Sequence, residues 1–345
     1  MRGRGLDPSP FSFPFARSMT LTYLIRRLLQ AIPVFLGVTF IVFLLMYMTP
    51  GDPVDLMMGE GSVVSEEEIE QLRHELGLDR PFYEQYGRFL AGIFRGDLGN
   101  SVTHRRPVTV LIWERLPATI ELTLLAGIIA LAVAIPAGIV SAVRRYSVLD
   151  AVGSISSLIG VSMPGFWLGL ILIIFFSVAL KVLPVAGRIT YGTGLEPRTG
   201  FFVLDAILQG NGRALVDVLK HLIMPAFAMS VVMMAMTMRL TRSSMLEVIN
   251  QDYIKTARAK GLANRTVILR HALRNALIPV ITTVALNLGS LLGGNMIIET
   301  VFGWPGLGRL VVESVYARDY PVVQGCVLVY ALIYVSLNLI ADLSY

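Results

Sequence analysis

A polar, strongly basic segment in the second half of the chain reads Asp252-Tyr253-Ile254-Lys255-Thr256-Ala257-Arg258-Ala259-Lys260-Gly261. It lies between two long apolar runs. Between Arg239 and Arg274 the chain carries eight Lys or Arg residues and two acidic residues, Glu247 and Asp252. Because positive charge resists translocation across a membrane, a loop of this kind beside membrane helices is expected on the cytoplasmic side.

The composition is typical of a polytopic membrane protein. Of 345 residues, 54% are hydrophobic and 15% are charged, and the mean hydropathy is +0.67. Soluble domains carry roughly 25% charged residues. The net charge of +5 comes from basic residues that flank apolar runs, so the sequence favours membrane topology over nucleic-acid binding. The single cysteine, Cys326, excludes an intrachain disulfide, and four widely separated histidines predict no metal site.

Six apolar runs predict an all-α fold with six transmembrane helices and both termini in the cytoplasm. The clusters Arg26-Arg27 and Arg144-Arg145 then lie on the same side as the basic loop. The first run has about 22 residues, longer than a signal-peptide core, and is expected to remain as an anchor. The runs are 28–49, 117–143, 155–180, 221–240, 276–302 and 322–343.

The chain divides into three parts. Residues 1–18 are predicted to be a disordered extension, and 19–116 to form the first transmembrane helix and an extracytoplasmic cap. Residues 117–343 form the main membrane domain, which includes the basic loop 241–275. The cap, residues 50–116, carries twelve acidic and seven basic residues. Within it we expect one helix at 65–76 and an amphipathic helix at 81–94.

Three prolines lie inside predicted spans, at Pro136, Pro164 and Pro279. Proline removes a backbone hydrogen bond from a helix, so each of them favours a kink or a break.

The sequence carries no catalytic signature. It has no Gly-Lys dipeptide and therefore no phosphate-binding loop of the Gly-x-x-x-x-Gly-Lys type, and it lacks Gly-x-Ser-x-Gly and His-Glu-x-x-His. We expect neither enzymatic activity nor a cofactor in this chain.

Five residues inside the predicted spans are candidates for a transport pathway or gate. Glu121, early in the second span, suits a structural or gate role, or proton coupling in a secondary carrier. Asn287 and Asn295 suit a pathway or hydrogen bonds between helices. Met233 and Met236 belong to a methionine-rich span that suits either a lining for varied solutes or core packing.

The basic loop itself allows two interpretations. Its apolar residues have helical spacing, and Gly261 suits a turn after a short helix. Such a helix, with small residues at Ala257 and Ala259, could dock in a groove of a soluble domain. It could equally lie on the membrane surface, held by anionic lipids.

Several motifs resemble one family. The loop sequence Thr256-Ala257-Arg258-Ala259-Lys260-Gly261 is similar to the ATPase-coupling loop of permeases in bacterial ABC importers of the dipeptide/oligopeptide type. From Met19 onward the chain resembles the B-type permease of these importers, although family members usually continue past the last span, so further residues after Tyr345 are expected. The other matching motifs are Thr22-Tyr23-Leu24-Ile25-Arg26-Arg27, Pro50-Gly51-Asp52-Pro53, Gly77-Leu78-Asp79-Arg80-Pro81, Gly96-Asp97-Leu98-Gly99-Asn100-Ser101, Val301-Phe302-Gly303-Trp304-Pro305-Gly306-Leu307-Gly308-Arg309 and Arg318-Asp319-Tyr320-Pro321.

The resemblance implies the type I ABC importer permease fold in the bacterial inner membrane. It implies a homologous second permease, two ATPase subunits that hold ATP and magnesium, and an extracytoplasmic solute-binding protein as partners. The implied substrate is a peptide. Glutathione or a nickel chelate is the alternative within the family, and a secondary carrier is the alternative outside it.

Overall fold

The computed structural model describes residues 15–48, 70, 74, 79–294 and 296–343. In these ranges the regular secondary structure is helical, and one isolated antiparallel bridge joins Asn100 to Pro107. The helices are α1 (Phe15–Met48), α2 (Phe82–Phe94), α3 (Val108–Val143), α4 (Val148–Ser162), α5 (Gly165–Leu172), α6 (Phe202–Leu208), α7 (Gly212–Ile249), α8 (Asp252–Ala259), α9 (Asn264–Thr266), α10 (Leu273–Gly294), α11 (Met296–Val301), α12 (Leu307–Tyr316) and α13 (Tyr320–Leu343). A π-helical turn at Ile173–Ala179 extends α5, and another at Val267–Ala272 joins α9 to α10.

The predicted all-α, polytopic membrane architecture is confirmed. Among the described helices, four are long and apolar enough to cross a membrane: α3, α7, the run Asn264–Gly289 and most of α13. The bent pair α4 and α5 supplies a fifth span if it is counted as one. In α1 the apolar stretch that can be assessed, Ile32–Leu44, is shorter than a full span. By this measure the described residues supply four or five spans, where the sequence predicted six.

Helices α3 and α7 form the centre of the bundle and contact each other more extensively than any other described pair. Buried alanines recur at four-residue spacing along α3, at 126, 130 and 134, which places them on one face. Further along, a Cβ at Gly138 would collide with Thr241 of α7. Small residues let two helix backbones approach closely, which favours packing inside a membrane. This close packing fixes the position of α3 relative to α7.

The three predicted proline kinks have different outcomes. At Pro164 the chain bends by 102° between α4 and α5, so the predicted break is confirmed. Pro136 and Pro279 instead lie inside continuous helices, so neither breaks its helix. In a helical bundle, neighbouring helices and local adjustment can compensate for the hydrogen bond that a proline removes.

The observed helices differ from the predicted apolar runs at their ends. Helix α3 begins at Val108 instead of 117, and α7 runs from Gly212 to Ile249 instead of 221–240. The predicted run 276–302 is interrupted, because α10 ends at Gly294 and α11 begins at Met296. Hydropathy marks the part of a helix that suits hydrocarbon, whereas the hydrogen-bonded backbone continues into the polar turns beyond it.

The amphipathic helix predicted at 81–94 is confirmed as α2, which follows Pro81. Its aromatic face packs on α1, with Phe82, Tyr86 and Phe89 each 5.3–5.5 Å from the ring of Phe43 between centroids. The predicted helix 65–76 lies outside the described residues except for positions 70 and 74. Of the predicted extension 1–18, only 15–18 are described, and they are helical.

Candidate functional site

The basic loop contains a short helix, α8, at Asp252–Ala259. The structure places 241–249 in α7 and 264–275 in the run that leads into α10, which leaves 250–263 for α8 and its two turns. Asp252 lies in the first turn of α8 and Arg258 in the last turn. Acidic residues at a helix start and basic residues at its end both interact favourably with the helix dipole.

One face of α8 is fixed to the membrane domain. Ile254 is fully buried and Ala257 is 8% exposed, in a cluster with Met245, Val248, Val267 and Ile268 from the flanking helices. Residues three apart on a helix share a face, so this pair anchors α8. The docking interpretation of the loop used the small side chains of both Ala257 and Ala259 for close contact with a soluble partner. The structure corrects this for Ala257, which lies against the chain's own helices, while Ala259 is exposed.

The opposite face of α8 is exposed and polar. Thr256, Arg258 and Lys260 are exposed together with Ala259 and Gly261. Lys255 pairs with Asp252 at 2.8 Å on the same helix, and the hydroxyl of Thr256 donates to the carbonyl of Asp252. The predicted loop residues therefore divide into an inner anchor at Ala257 and an outer surface of five residues.

Gly261 ends the helix by its backbone conformation. Its φ of +75° lies in the left-handed region, and its N–H donates to the carbonyl of Arg258 at 2.9 Å. A Cβ at this position would meet nothing within 4 Å. Glycine is therefore favoured by the backbone angle and not by lack of space, as at many helix C-termini.

A clasp of polar groups ties α4 to α7 at the same end of the bundle. Arg242 binds Asp150 through both carboxylate oxygens, and the hydroxyl of Ser141 and the N–H of Tyr146 also donate to that carboxylate. The sequence analysis did not single out this pair. The available signal was local: Ser147 caps α4 by accepting from the N–H of Asp150, which marks a helix start.

At the other end of α3, Glu121 is held by internal partners. Arg188 donates to Glu121 at 2.6 Å, with both side chains less than a tenth exposed, and the N–H of Val203 donates at 2.7 Å. Arg188 also lies 3.8 Å above the ring of Phe202. Burial lowers the pKa of Arg188, and the charge of Glu121 opposes that shift. Glu121 thus fastens the connection between α5 and α6 to α3.

A second buried carboxylate, Glu299 of α11, organises the motif that follows it. It accepts from the hydroxyl of Thr119 at 2.7 Å and from the N–H of Arg309 at 2.9 Å. The Thr119 hydroxyl in turn accepts from the N–H of Leu307. Trp304, fully buried, donates to the carbonyl of Ala118. The sequence analysis missed Glu299, although an acidic residue inside an apolar run was a usable signal.

The remaining candidate pathway residues do not converge. Met233 is buried against α10 near Val280 and Val284, whereas Met236 is 39% exposed. Asn287 is partly buried, and its Nδ2 is enclosed without a hydrogen-bond partner in the described part of the chain. Asn295 lies outside the described residues. A pathway role for these residues and for Glu121 stays a prediction.

Within the described ranges, no group of three or more His, Cys, Asp or Glu side chains could hold a metal ion. In the basic loop, helix α8 lies on the surface of the membrane domain. Its charged face is exposed, and its other face packs between α7 and the run into α10. A force applied to α8 would therefore reach two membrane helices directly.

Two family profiles match the chain. Residues 134–345 match the binding-protein-dependent transport system inner membrane component, and residues 20–123 match the N-terminal region of the membrane component of such systems. The chain is 45% identical over 328 residues to the dipeptide transport system permease protein of Escherichia coli strain K12, covering 94% of this chain and 96% of that protein.

Two further relatives match the chain over a similar length. The di/tripeptide transport system permease protein of Pseudomonas aeruginosa strain UCBPP-PA14 is 44% identical over 325 residues, covering 94% of this chain and 96% of that protein. The oligopeptide transport system permease protein of Bacillus subtilis strain 168 is 43% identical over 324 residues, again covering 94% and 96%. The ranges matched by the two family profiles span both the loop helix and the positions of the buried polar groups at the other end of α3.

Proposed function

Because the chain belongs to the family of binding-protein-dependent transport system inner membrane components, we propose that it forms half of the membrane pathway of an ATP-driven peptide importer. A homologous permease supplies the other half. Two ATPase subunits bind ATP and magnesium, and an extracytoplasmic binding protein delivers the peptide. This chain holds no cofactor of its own.

The two-faced geometry of α8 is the observation that carries the proposal. Ile254 and Ala257 anchor the helix, and the charged side with Arg258 and Lys260 remains free. A groove on an ATPase subunit would take this free side. When ATP binding brings the two ATPases together, α8 moves with them, and α7 and α10 follow because they pack on its inner face. The pathway then closes on one side of the membrane and opens on the other.

The proposed orientation places α8 in the cytoplasm. In support of it, Arg144 at the end of α3 and Arg265 after α8 line one cleft, together with Val143 and Asn264. Two of the basic clusters in the sequence thus lie at one end of the bundle. Basic residues beside membrane helices favour the cytoplasmic side, so both termini would lie there too.

Peptides are proposed as the substrate class because the relatives are named as dipeptide, di/tripeptide and oligopeptide permeases. The test is to reconstitute this chain with its partner permease, ATPases and binding protein and to measure ATP hydrolysis against a ligand panel. Stimulation by dipeptides or longer peptides supports the proposal. Stimulation by glutathione or chelated nickel alone would contradict the proposed substrate class. ATP hydrolysis that never depends on this chain would contradict the proposal that it belongs to an ATP-driven importer.

A further inference from the structure

A cleft of ≈ 500 Å³ lies where α8 meets the run into α10. Its lining residues are Tyr253, Arg270, His271, Arg274, Asn275 and Ile278. We propose that this cleft binds the phosphate of an anionic phospholipid, whose acyl chains lie along α10. The proposal requires that α10 cross the membrane, and it does not depend on the transported substrate.

The charge of the cleft favours an anion. Arg270 and Arg274 are exposed, and within the described ranges neither side chain forms an ion pair or a hydrogen bond. No acidic residue lines the cleft. By contrast, Arg188 and Arg242 each bind a carboxylate inside the bundle. Two unpaired guanidinium groups about one turn apart match the geometry with which arginine binds phosphate oxygens.

The wall of the cleft is held in place by a hydrogen bond. Asn275 of α10 donates through Nδ2 to the hydroxyl of Tyr253 of α8, at 2.7 Å. Because the Tyr253 oxygen accepts this bond, its own proton is available for a further acceptor. A phosphate between the two helices would accept hydrogen bonds from the Tyr253 hydroxyl and from the N–H groups of the two arginines. The ligand would therefore bridge α8 and α10.

The depth of the cleft favours a lipid over free phosphate. The apolar run of this span begins at 276, directly after Asn275, which places the edge of the hydrocarbon near Asn275. The two arginines then lie at the level of the headgroups. Ile278 and Ile281 follow on the hydrocarbon side, and both are more than half exposed. This arrangement suits a phosphate that carries acyl chains.

The test measures lipid binding to the purified full-length chain in detergent by native mass spectrometry. The probes are phosphatidylglycerol, phosphatidylcholine and soluble glycerol 3-phosphate. We expect the double variant Arg270→Gln with Arg274→Gln to weaken phosphatidylglycerol binding roughly 25-fold, about fivefold for each arginine. Binding of phosphatidylcholine, whose choline offsets the charge of its phosphate, should fall by less, and its retention also shows that the variant is folded.

The matched control is Arg144→Gln with Arg145→Gln, which removes the same charge from exposed positions at the end of α3. The affinity of this control for phosphatidylglycerol should stay within about threefold of that of the unmodified chain. The pair Arg270→Lys with Arg274→Lys should bind phosphatidylglycerol more tightly than the glutamine pair but less tightly than the unmodified chain, because the charge remains while the bidentate geometry of the guanidinium is lost.

Three results would overturn the proposal. The first is unchanged phosphatidylglycerol binding in the Arg270→Gln, Arg274→Gln variant. If that variant keeps the lipid and instead loses binding of an ATPase subunit, the cleft belongs to the ATPase contact. The second is an equal loss in the control, which would show a general effect of charge. The third is displacement of the lipid by glycerol 3-phosphate at equal concentration, which would show that the acyl chains contribute nothing.

Discussion

The guanidinium of Arg242 binds both carboxylate oxygens of Asp150, with Nε 2.6 Å from one oxygen and Nη2 2.8 Å from the other. The pair joins α7 to the start of α4, at the end of the bundle where α8 emerges. Two parallel N–H to oxygen bonds fix both distance and orientation, so the pair can hold α4 and α7 together when α8 is displaced.

Removal of either partner should lower the midpoint of thermal unfolding, because it leaves the other charge without its counterion. We expect Arg242→Gln and Asp150→Asn each to have this effect in detergent-purified protein. The double variant should lose less than the sum of the two single losses, since it leaves no unpaired charge. Strict additivity of the three measurements would show that the contact contributes nothing.

The two alanines of α8 should respond oppositely to the same enlargement. Ala257→Leu inserts a larger side chain into the packed contact between α8 and the membrane domain, and should cost about 1–3 kcal/mol in the free energy of unfolding. Ala259→Leu adds the same atoms on the exposed face and should stay within about 0.5 kcal/mol. Denaturant unfolding in detergent measures both, and similar costs at the two positions would refute the assignment of an inner and an outer face.

Two threonines one turn apart on α3 make another matched pair. Thr119→Val removes a donor from buried Glu299 and an acceptor from the N–H of Leu307, and should cost about 1–3 kcal/mol. Thr123 is equally buried, but its hydroxyl has no hydrogen-bond partner in the described structure. Thr123→Val should therefore be neutral or stabilising. The comparison uses the unfolding midpoint, and an equal effect at both positions would contradict the role of the Thr119 hydroxyl.

Glu121 distinguishes an ATP-driven permease from a proton-coupled carrier. In the structure its carboxylate binds Arg188 and the N–H of Val203. We expect Glu121→Gln to reduce stability and yet leave uptake dependent on ATP and insensitive to a proton gradient. The measurement is uptake in proteoliposomes with either energy source. Uptake that follows the proton gradient in the unmodified chain and is lost in Glu121→Gln would favour the carrier.

The sequence predicted features that depend on local pattern. The amphipathic helix after Pro81, the break at Pro164 and the short helix that ends before Gly261 follow from apolar spacing and from the backbone preferences of proline and glycine. The ends of α3 and α7 were predicted less well, because hydropathy does not register polar turns that continue a helix.

Contacts between distant residues could not be predicted in this way. Arg242 and Asp150 are far apart in the sequence, and so are Thr119 and Glu299. No periodicity within one helix indicates which carboxylate meets which donor. The burial of Ala257 was missed for the same reason, since the cluster beneath it is assembled from α3, α7 and the run into α10.

The most direct measurement is ATP-driven peptide uptake by the reconstituted importer carrying Gly261→Arg, compared with Gly210→Arg. Both glycines are exposed, have a positive φ and leave open space at the Cβ position, and Gly210 lies in the turn before α7 whereas Gly261 lies in the turn after α8. Both variants should insert into the membrane normally. We expect Gly261→Arg to abolish uptake, because it distorts the turn of α8 at the proposed ATPase contact, and Gly210→Arg to retain it. Full uptake by Gly261→Arg would contradict the role of α8 in coupling.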